Sequence, residues 1–296
     1  MNKRSKRYRQ IQLKNAAILF FPAVICIGAV VIFPLFYSLV LSFTDTNLRA
    51  RGMGTFIGLE NYITALTDEY FLKSIVTTLQ YTVVSVIAEL CVGYMIAGLL
   101  NKVKKGREFF FSIIIIPMMI SCVAVGMIWR LLLHPELGIV NYLIELLGGT
   151  GRAWYGDAKY ALGTLIFIDV WQETPYMTLL ILAGLVSLPK DPYEAARIEG
   201  ANVFQTFQKI TLPLMKPTLI VATLLRAIGA LKTYDLVYVI TKGGPGTSTE
   251  VMTYNIYKQA YQYLNTGRAA AMSYILLAII LVISIFFVRI GQEKQE

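Results

Sequence analysis

Histidine is nearly missing from this sequence: among 296 residues there is one, His134. A lone imidazole, with no second His, Cys or carboxylate at ligand spacing, supports neither a metal site nor a histidine-activated nucleophile. In His134-Pro-Glu-Leu-Gly138 it reads as a turn residue. Cysteine is scarce too. Cys26, Cys91 and Cys122 are odd in number, show no CxxC spacing and fall in apolar runs, so they read as small buried hydrophobes. No HExxH and no Gly-x-x-x-x-Gly-Lys-Ser/Thr sequence occurs. The Gly-rich stretch Lys242-Gly-Gly-Pro-Gly-Thr-Ser-Thr249 lacks the Lys-Ser/Thr ending and a preceding strand, and reads as a flexible loop rather than a phosphate cradle. These absences argue against an enzyme and against cofactor or metal chemistry in this chain.

Charge is also in short supply. Charged residues make up 15% of the chain, where a soluble domain carries about 25%. Hydrophobic residues reach 56%, and the mean hydropathy is +0.60. The deficit sits in long uncharged runs at 15–44, 109–129 and 269–288, each able to supply the roughly 20 helical residues that cross a hydrocarbon core of about 30 Å. Three more apolar segments are interrupted: one by Glu89, one by Asp169 and Glu173, one by Arg226, Lys232 and Asp235. The expectation is an all-α membrane protein with six spans near 16–43, 75–100, 109–130, 161–188, 217–240 and 269–288. Backbone groups in lipid must be paired within the segment, and the strict alternation of barrel strands is missing.

The net charge of +9 is distributed by side rather than clustered. Lys and Arg are more than twice as dense in 1–15, 101–108, 189–216 and 289–296 as in the intervening loops. That bias places both termini and the 189–216 loop in the cytoplasm, and it makes the basic charge a topology signal rather than a nucleic-acid footprint. The basic 1–15 segment precedes an apolar run too long for a signal peptide, so it reads as the lead-in to an uncleaved first helix.

The fourth span is the chemically loaded one. Asp169, Gln172, Glu173 and Tyr176 share one helical face, with Trp171 beside it and Pro175 positioned to kink it. Carboxylates in lipid must face a wet cavity or a partner. Either the stripe is a polar, aromatic-flanked wall for a hydrated solute, or it is an internal ion pair with Arg226 or Lys232. In the fifth span Arg226, Gly229, Ala230 and Thr233 share a face, Tyr234 follows, and Lys232 and Asp235 are spaced to pair with each other. Asp169, Trp171, Gln172, Glu173, Tyr176, Arg226 and Tyr234 are therefore the candidate solute-pathway residues.

Between the fourth and fifth spans lies a polar insert. Asp191-Pro-Tyr-Glu194 has the form of a helix start with Asp191 as N-cap, and Gly200 suits a left-handed C-terminal stop. Asn202-Val-Phe-Gln205 repeats a capping pattern and opens a second short helix, with Phe204 and Phe207 on one apolar edge and Leu212-Pro213 at its end. Helix, glycine turn, helix: such an elbow offers close backbone approach at Ala195 and Ala196 and aromatic anchors for a partner protein.

Glu194-Ala195-Ala196, three residues, Gly200, nine residues, then Ile210-x-Leu212-Pro213 resembles the EAA motif of permease subunits of binding-protein-dependent ABC importers, with its spacing matched in full. Trp171-Gln-Glu-Thr-Pro-Tyr176 and Thr241-Lys-Gly-Gly-Pro245 are similar to the carbohydrate-uptake branch, the maltose and glycerol-phosphate type. Glu199 stands where that family often has Asp. The resemblance implies a multi-pass protein of a bacterial or archaeal cytoplasmic membrane, surrounded by lipid and carrying a sugar. It further implies a heterodimer with a second permease, two ATPase subunits that use ATP and Mg, and an extracytoplasmic solute-binding protein. Glu194, Ala195, Ala196, Gly200, Phe204, Ile210, Leu212 and Pro213 would couple to the ATPase. The alternative is an ion-coupled secondary transporter using the Asp169/Glu173 face.

Overall fold

In the computed structural model, residues 20–292 apart from 23, 50, 51, 53 and 104 are described. The basic N-terminal segment, the first residues of the first span and 293–296 lie outside them. Helices dominate, in the order α1 (Phe20–Ser42), α2 (Glu60–Thr67), α3 (Glu69–Lys102), α4 (Arg107–Met119), α5 (Cys122–Leu132), α6 (Ile139–Leu146), α7 (Ala158–Val186), α8 (Asp191–Ile198), α9 (Val203–Leu231), α10 (Met252–Tyr257) and α11 (Thr266–Gln292). Among the described residues β-structure is limited to one isolated bridge, Thr44 with Phe56. Among the described residues five helices are long and apolar enough to cross a membrane, and six spans result if the bent pair α4–α5 forms one.

Two units are distinguishable. In the first, residues 1–66 with 256–275, Asn61 donates to the carbonyls of Ser42 (3.0 Å) and Thr44 (2.8 Å), satisfying buried acceptors at the C-terminal end of α1. The Ser42 hydroxyl meets the Tyr62 hydroxyl at 2.7 Å.

The second unit, residues 67–255 with 276–296, holds the main bundle of α3, α7 and α9. Its interior is unusually polar. Thr77, Thr78, Ser85, Glu89, Thr164, Asp169, Gln172, Thr178 and Arg226 are buried, while Val83, Val84, Ile87, Met95 and Leu99 stand exposed. A water-soluble protein would invert that arrangement; lipid accepts the apolar exterior and leaves polar groups to pair inside. Close approach depends on missing side chains. A Cβ on Gly93 of α3 would lie 3.0 Å from the Met177 side chain and 3.2 Å from the Thr178 amide nitrogen on α7. Small residues at such seams let membrane helices pack backbone to backbone.

Two spans depart from expectation. The third, expected to run unbroken over 109–130, bends by 90° between Met119 and Cys122. Pro117 lies in its last turn and the Ser121 hydroxyl accepts from Ala124 N at 3.3 Å, so a new helix is capped where the first stops. The fifth, expected from 217 to 240, runs instead from Val203 to Leu231. Leu212-Pro213 does not end a short helix, because Phe207–Thr211 forms a π-turn and Leu212 N bonds to Phe207 O. Widening the turn absorbs the missing amide hydrogen and the ring of Pro213 without breaking the helix. The cysteines also differ from expectation: Cys26 and Cys91 are exposed and Cys122 is half-buried. Nor is the 242–249 stretch loose. Thr249 is fully buried, and its hydroxyl donates to Gly244 O at 2.8 Å.

Candidate functional site

Three helices meet at Arg226. From α9 its guanidinium reaches Glu89 on α3, with Nε 2.6 Å from Oε2 and Nη2 2.9 Å from Oε1, a two-pronged pairing. Nη2 also donates to Asp169 Oδ2 on α7. All three residues are buried, Glu89 completely. One cation thus holds two carboxylates from two other helices in a medium where an unpaired charge would cost several kcal/mol. Of the two partners weighed for the fourth-span stripe, Arg226 is the one Asp169 takes. Lys232 and Asp235 form no ion pair among the described residues, since α9 ends at Leu231 and the intervening residues leave helical register.

Beside this triad opens a cavity of about 380 Å³. Asp169, Glu173 and Tyr176 line it from α7, Arg226 and Gly229 from α9, and Lys232, Thr233, Tyr234 and Asp235 from the segment that follows. Tyr234 stacks on Tyr238 with ring centroids 5.4 Å apart, giving the cavity an aromatic flank. Carboxylates, hydroxyls and flat rings around a space of this size suit a hydroxylated solute, with hydrogen bonds at its edges and apolar contact on its faces.

The stripe read from the sequence therefore divides. Asp169, Glu173 and Tyr176 face the cavity; Trp171 and Gln172 do not line it. Trp171 instead meets Trp129 edge-on at 5.6 Å, and Trp129 meets Phe167 at 5.4 Å. Gln172 is buried and donates to the Ile120 carbonyl at 3.1 Å, the acceptor exposed by the break between α4 and α5. The break and Gln172 satisfy each other, which explains a buried amide on a membrane helix. Glu89 completes the triad, on the same helical face as Thr78, Thr82 and Ser85. The available signal was its position in an otherwise uncharged span. His134 keeps to its turn: Nδ1 accepts from the amides of Glu136 (3.3 Å) and Leu137 (3.2 Å).

At the other end of α9 stands the elbow. Helix α8 begins at Asp191 and not after it; Lys190 is the N-cap without a side-chain bond, and Pro192 occupies the first turn. Gly200, at φ +76°, ends it with Gly200 N to Arg197 O (3.2 Å) and Ala201 N to Ala196 O (2.9 Å), the paired bonds of a Schellman stop. A capping box follows: Gln205 N donates to Asn202 Oδ1 at 2.8 Å and Asn202 N to Gln205 Oε1 at 2.9 Å. Tyr193 bonds to Thr211 at 3.1 Å, tying the two arms together. The elbow's tip is apolar and, among the described residues, uncovered, with Ile198 88%, Val203 80% and Phe204 69% exposed, and Glu194 and Ala195 exposed alongside. Phe204 and Phe207 do not form one edge. Phe207 turns inward, edge-on to Tyr94 of α3 at 5.5 Å, so the elbow is anchored to the bundle. Ala196 is buried beneath it, Ile210 lies in the π-turn, and Leu212 and Pro213 border a groove farther along α9.

The family model described as "binding-protein-dependent transport system inner membrane component" matches residues 89–294. The trehalose/maltose transport system permease protein MalF of Thermococcus litoralis is 37% identical over 244 residues, 81% of each chain. The trehalose transport system permease protein SugA of Mycobacterium tuberculosis is 32% identical, over 95% of this chain and 90% of its own length. The sulfoquinovosyl glycerol transport system permease protein SmoG of Agrobacterium fabrum is 31% identical, over 94% and 91%. Among solved structures, a chain of a bacterial ABC transporter that imports the acidic polysaccharide alginate superposes over the full length of both chains, with a TM-score of 0.85 at 23% identity.

Proposed function

The chain belongs to the family of binding-protein-dependent transport system inner membrane components, and on that premise we propose that it is one permease subunit of a sugar-importing ABC transporter. The protein is multi-pass and membrane-embedded. Relatives named for trehalose, maltose and sulfoquinovosyl glycerol support a sugar as the carried solute. The cavity beside Arg226 supports the same reading: Tyr176 and Tyr234 offer ring faces, and Glu173 and Asp235 accept hydroxyl hydrogens.

One observation carries the coupling role. The elbow is held rigidly by its Schellman stop, capping box and Tyr193–Thr211 bond, yet among the described residues it leaves Ile198, Val203 and Phe204 exposed. A stiff, polar-based projection with an apolar tip is suited to seat in a cleft of a second protein. An ATPase subunit on the cytoplasmic side is that protein, with Glu194 placed to pair with a basic residue of the cleft. The full assembly comprises a second permease, two ATPase subunits that use ATP and Mg, and an extracytoplasmic binding protein. Closure of the ATPase pair would move the elbow as a rigid body and switch the cavity between the two faces of the membrane.

Of the Asp169/Glu173 pair on which the ion-coupled alternative depends, Asp169 is already taken by Arg226. Uptake of labelled trehalose or maltose by proteoliposomes holding the whole complex tests the proposal. Accumulation is expected to require internal ATP and to survive collapse of proton and sodium gradients. Uptake without ATP that stops with the ion gradient would sink it.

A further inference from the structure

A second cavity, larger than the one beside Arg226, lies between the elbow end of α9 and the last turns of α11. It encloses about 600 Å³. Its α9 wall is Leu212, Lys216, Ile220 and Thr223, spaced by three or four so that one helical face forms a continuous floor; Phe287 and Gly291 close the other side. From residue 212 to residue 223 a helix rises about 16 Å, close to the roughly 15 Å of one leaflet's acyl layer. Gly291 approaches closely from α11: a Cβ built on it would stand in van der Waals contact with Ile220, at 3.7 Å.

Among the described residues, Lys216 is the one charged side chain lining this groove. It is half-buried and makes no hydrogen bond or ion pair among the described residues. One turn inside the elbow end, a lysine can run its stem along the apolar wall and lift its ammonium to the interface. Pro217, the next residue, has no amide hydrogen to return to the Pro213 carbonyl. An apolar channel about one leaflet long, with a cation near its mouth, is complementary to one class of ligand.

We propose that this groove binds an anionic glycerophospholipid, with an acyl chain along the Leu212–Thr223 face and the phosphate at Lys216. The proposal rests on the membrane placement of α9 and α11 and takes the elbow end to lie at a membrane–water interface. The lipid would then lie directly beneath the π-turn that joins elbow to span. Occupancy would stiffen that joint.

Native mass spectrometry of the purified complex, titrated with phosphatidylglycerol or phosphatidylcholine, tests this without reference to transport. The intact complex is expected to retain phosphatidylglycerol in preference to phosphatidylcholine. Lys216→Gln is expected to lower that preference about fivefold, the effect of one basic contact with an anionic lipid. Ile220→Trp fills the groove and is expected to remove the bound lipid of either kind while the complex stays assembled. Equal retention of both lipids by the unaltered complex, or unchanged retention in both variants, overturns the proposal. So does photo-crosslinking from position 223 that captures the second permease or residues 1–19 of this chain in place of lipid. Failure here leaves ATP-driven uptake untouched, so the two readings are separable.

Discussion

Arg226 carries one positive charge against two buried carboxylates, and the three side chains come from three helices, so the pairing is at once an electrostatic necessity and a clamp. Removing the cation alone would leave Glu89 and Asp169 facing each other without compensation. Arg226→Met is expected to destabilise the bundle by about 3–5 kcal/mol, seen as a lower Tm of the solubilised complex, whereas adding Glu89→Gln and Asp169→Asn to it should recover most of the loss. If the triple variant is no more stable than the single one, the clamp is not what the charge provides. At this scale the sequence was partly informative. Asp169 and Glu173, four apart, had to share a face, and both do reach the cavity. Trp171 and Gln172 were indistinguishable from pathway residues because helical spacing gives a direction but not what lies in that direction. A tryptophan cluster and an orphaned carbonyl took them.

For the elbow, local chemistry was nearly sufficient. Gly200 and the Asn202/Gln205 box each satisfy helix ends with atoms from neighbouring residues, so their positions follow from short-range rules. With φ at +76°, a β-branched residue at Gly200 pays a steric penalty of about 1–2 kcal/mol, while Asn tolerates the conformation. Gly200→Val is therefore expected to uncouple ATP hydrolysis from uptake, and Gly200→Asn to retain most of it; Glu194→Lys should abolish uptake while the chain still inserts. Equal uptake in all three would remove the elbow from the coupling pathway. Two elements defeated local reading: the 90° break of the third span and the helix that runs through Pro213. A proline in membrane sequence can stop, kink or widen a helix. The choice depends on whether a neighbour, such as Gln172 at Ile120, satisfies the freed group.

Across the described residues, ionic groups such as Glu89, Asp169 and Arg226 are buried while long rows of valine, leucine and isoleucine stand exposed, a combination suited to lipid rather than water. Orientation rests on the Lys and Arg bias among the loops, and it has a direct test. In a chain lacking native cysteines, Gln208→Cys in the elbow should react with an impermeant maleimide only from the cytoplasmic side, and His134→Cys only from the opposite side. The reverse pattern would place the elbow away from ATP. Membrane residence, helical class, the elbow and its family were determined by the sequence itself, because runs of apolar residues, capping patterns and motif spacing are properties of neighbours along the chain. Tertiary structure alone decided that Glu89 joins Arg226 and Asp169, that Gln172 serves a broken helix, and that two cavities open along α9. Those outcomes turn on residues 50 or more positions apart, whose meeting no local pattern encodes.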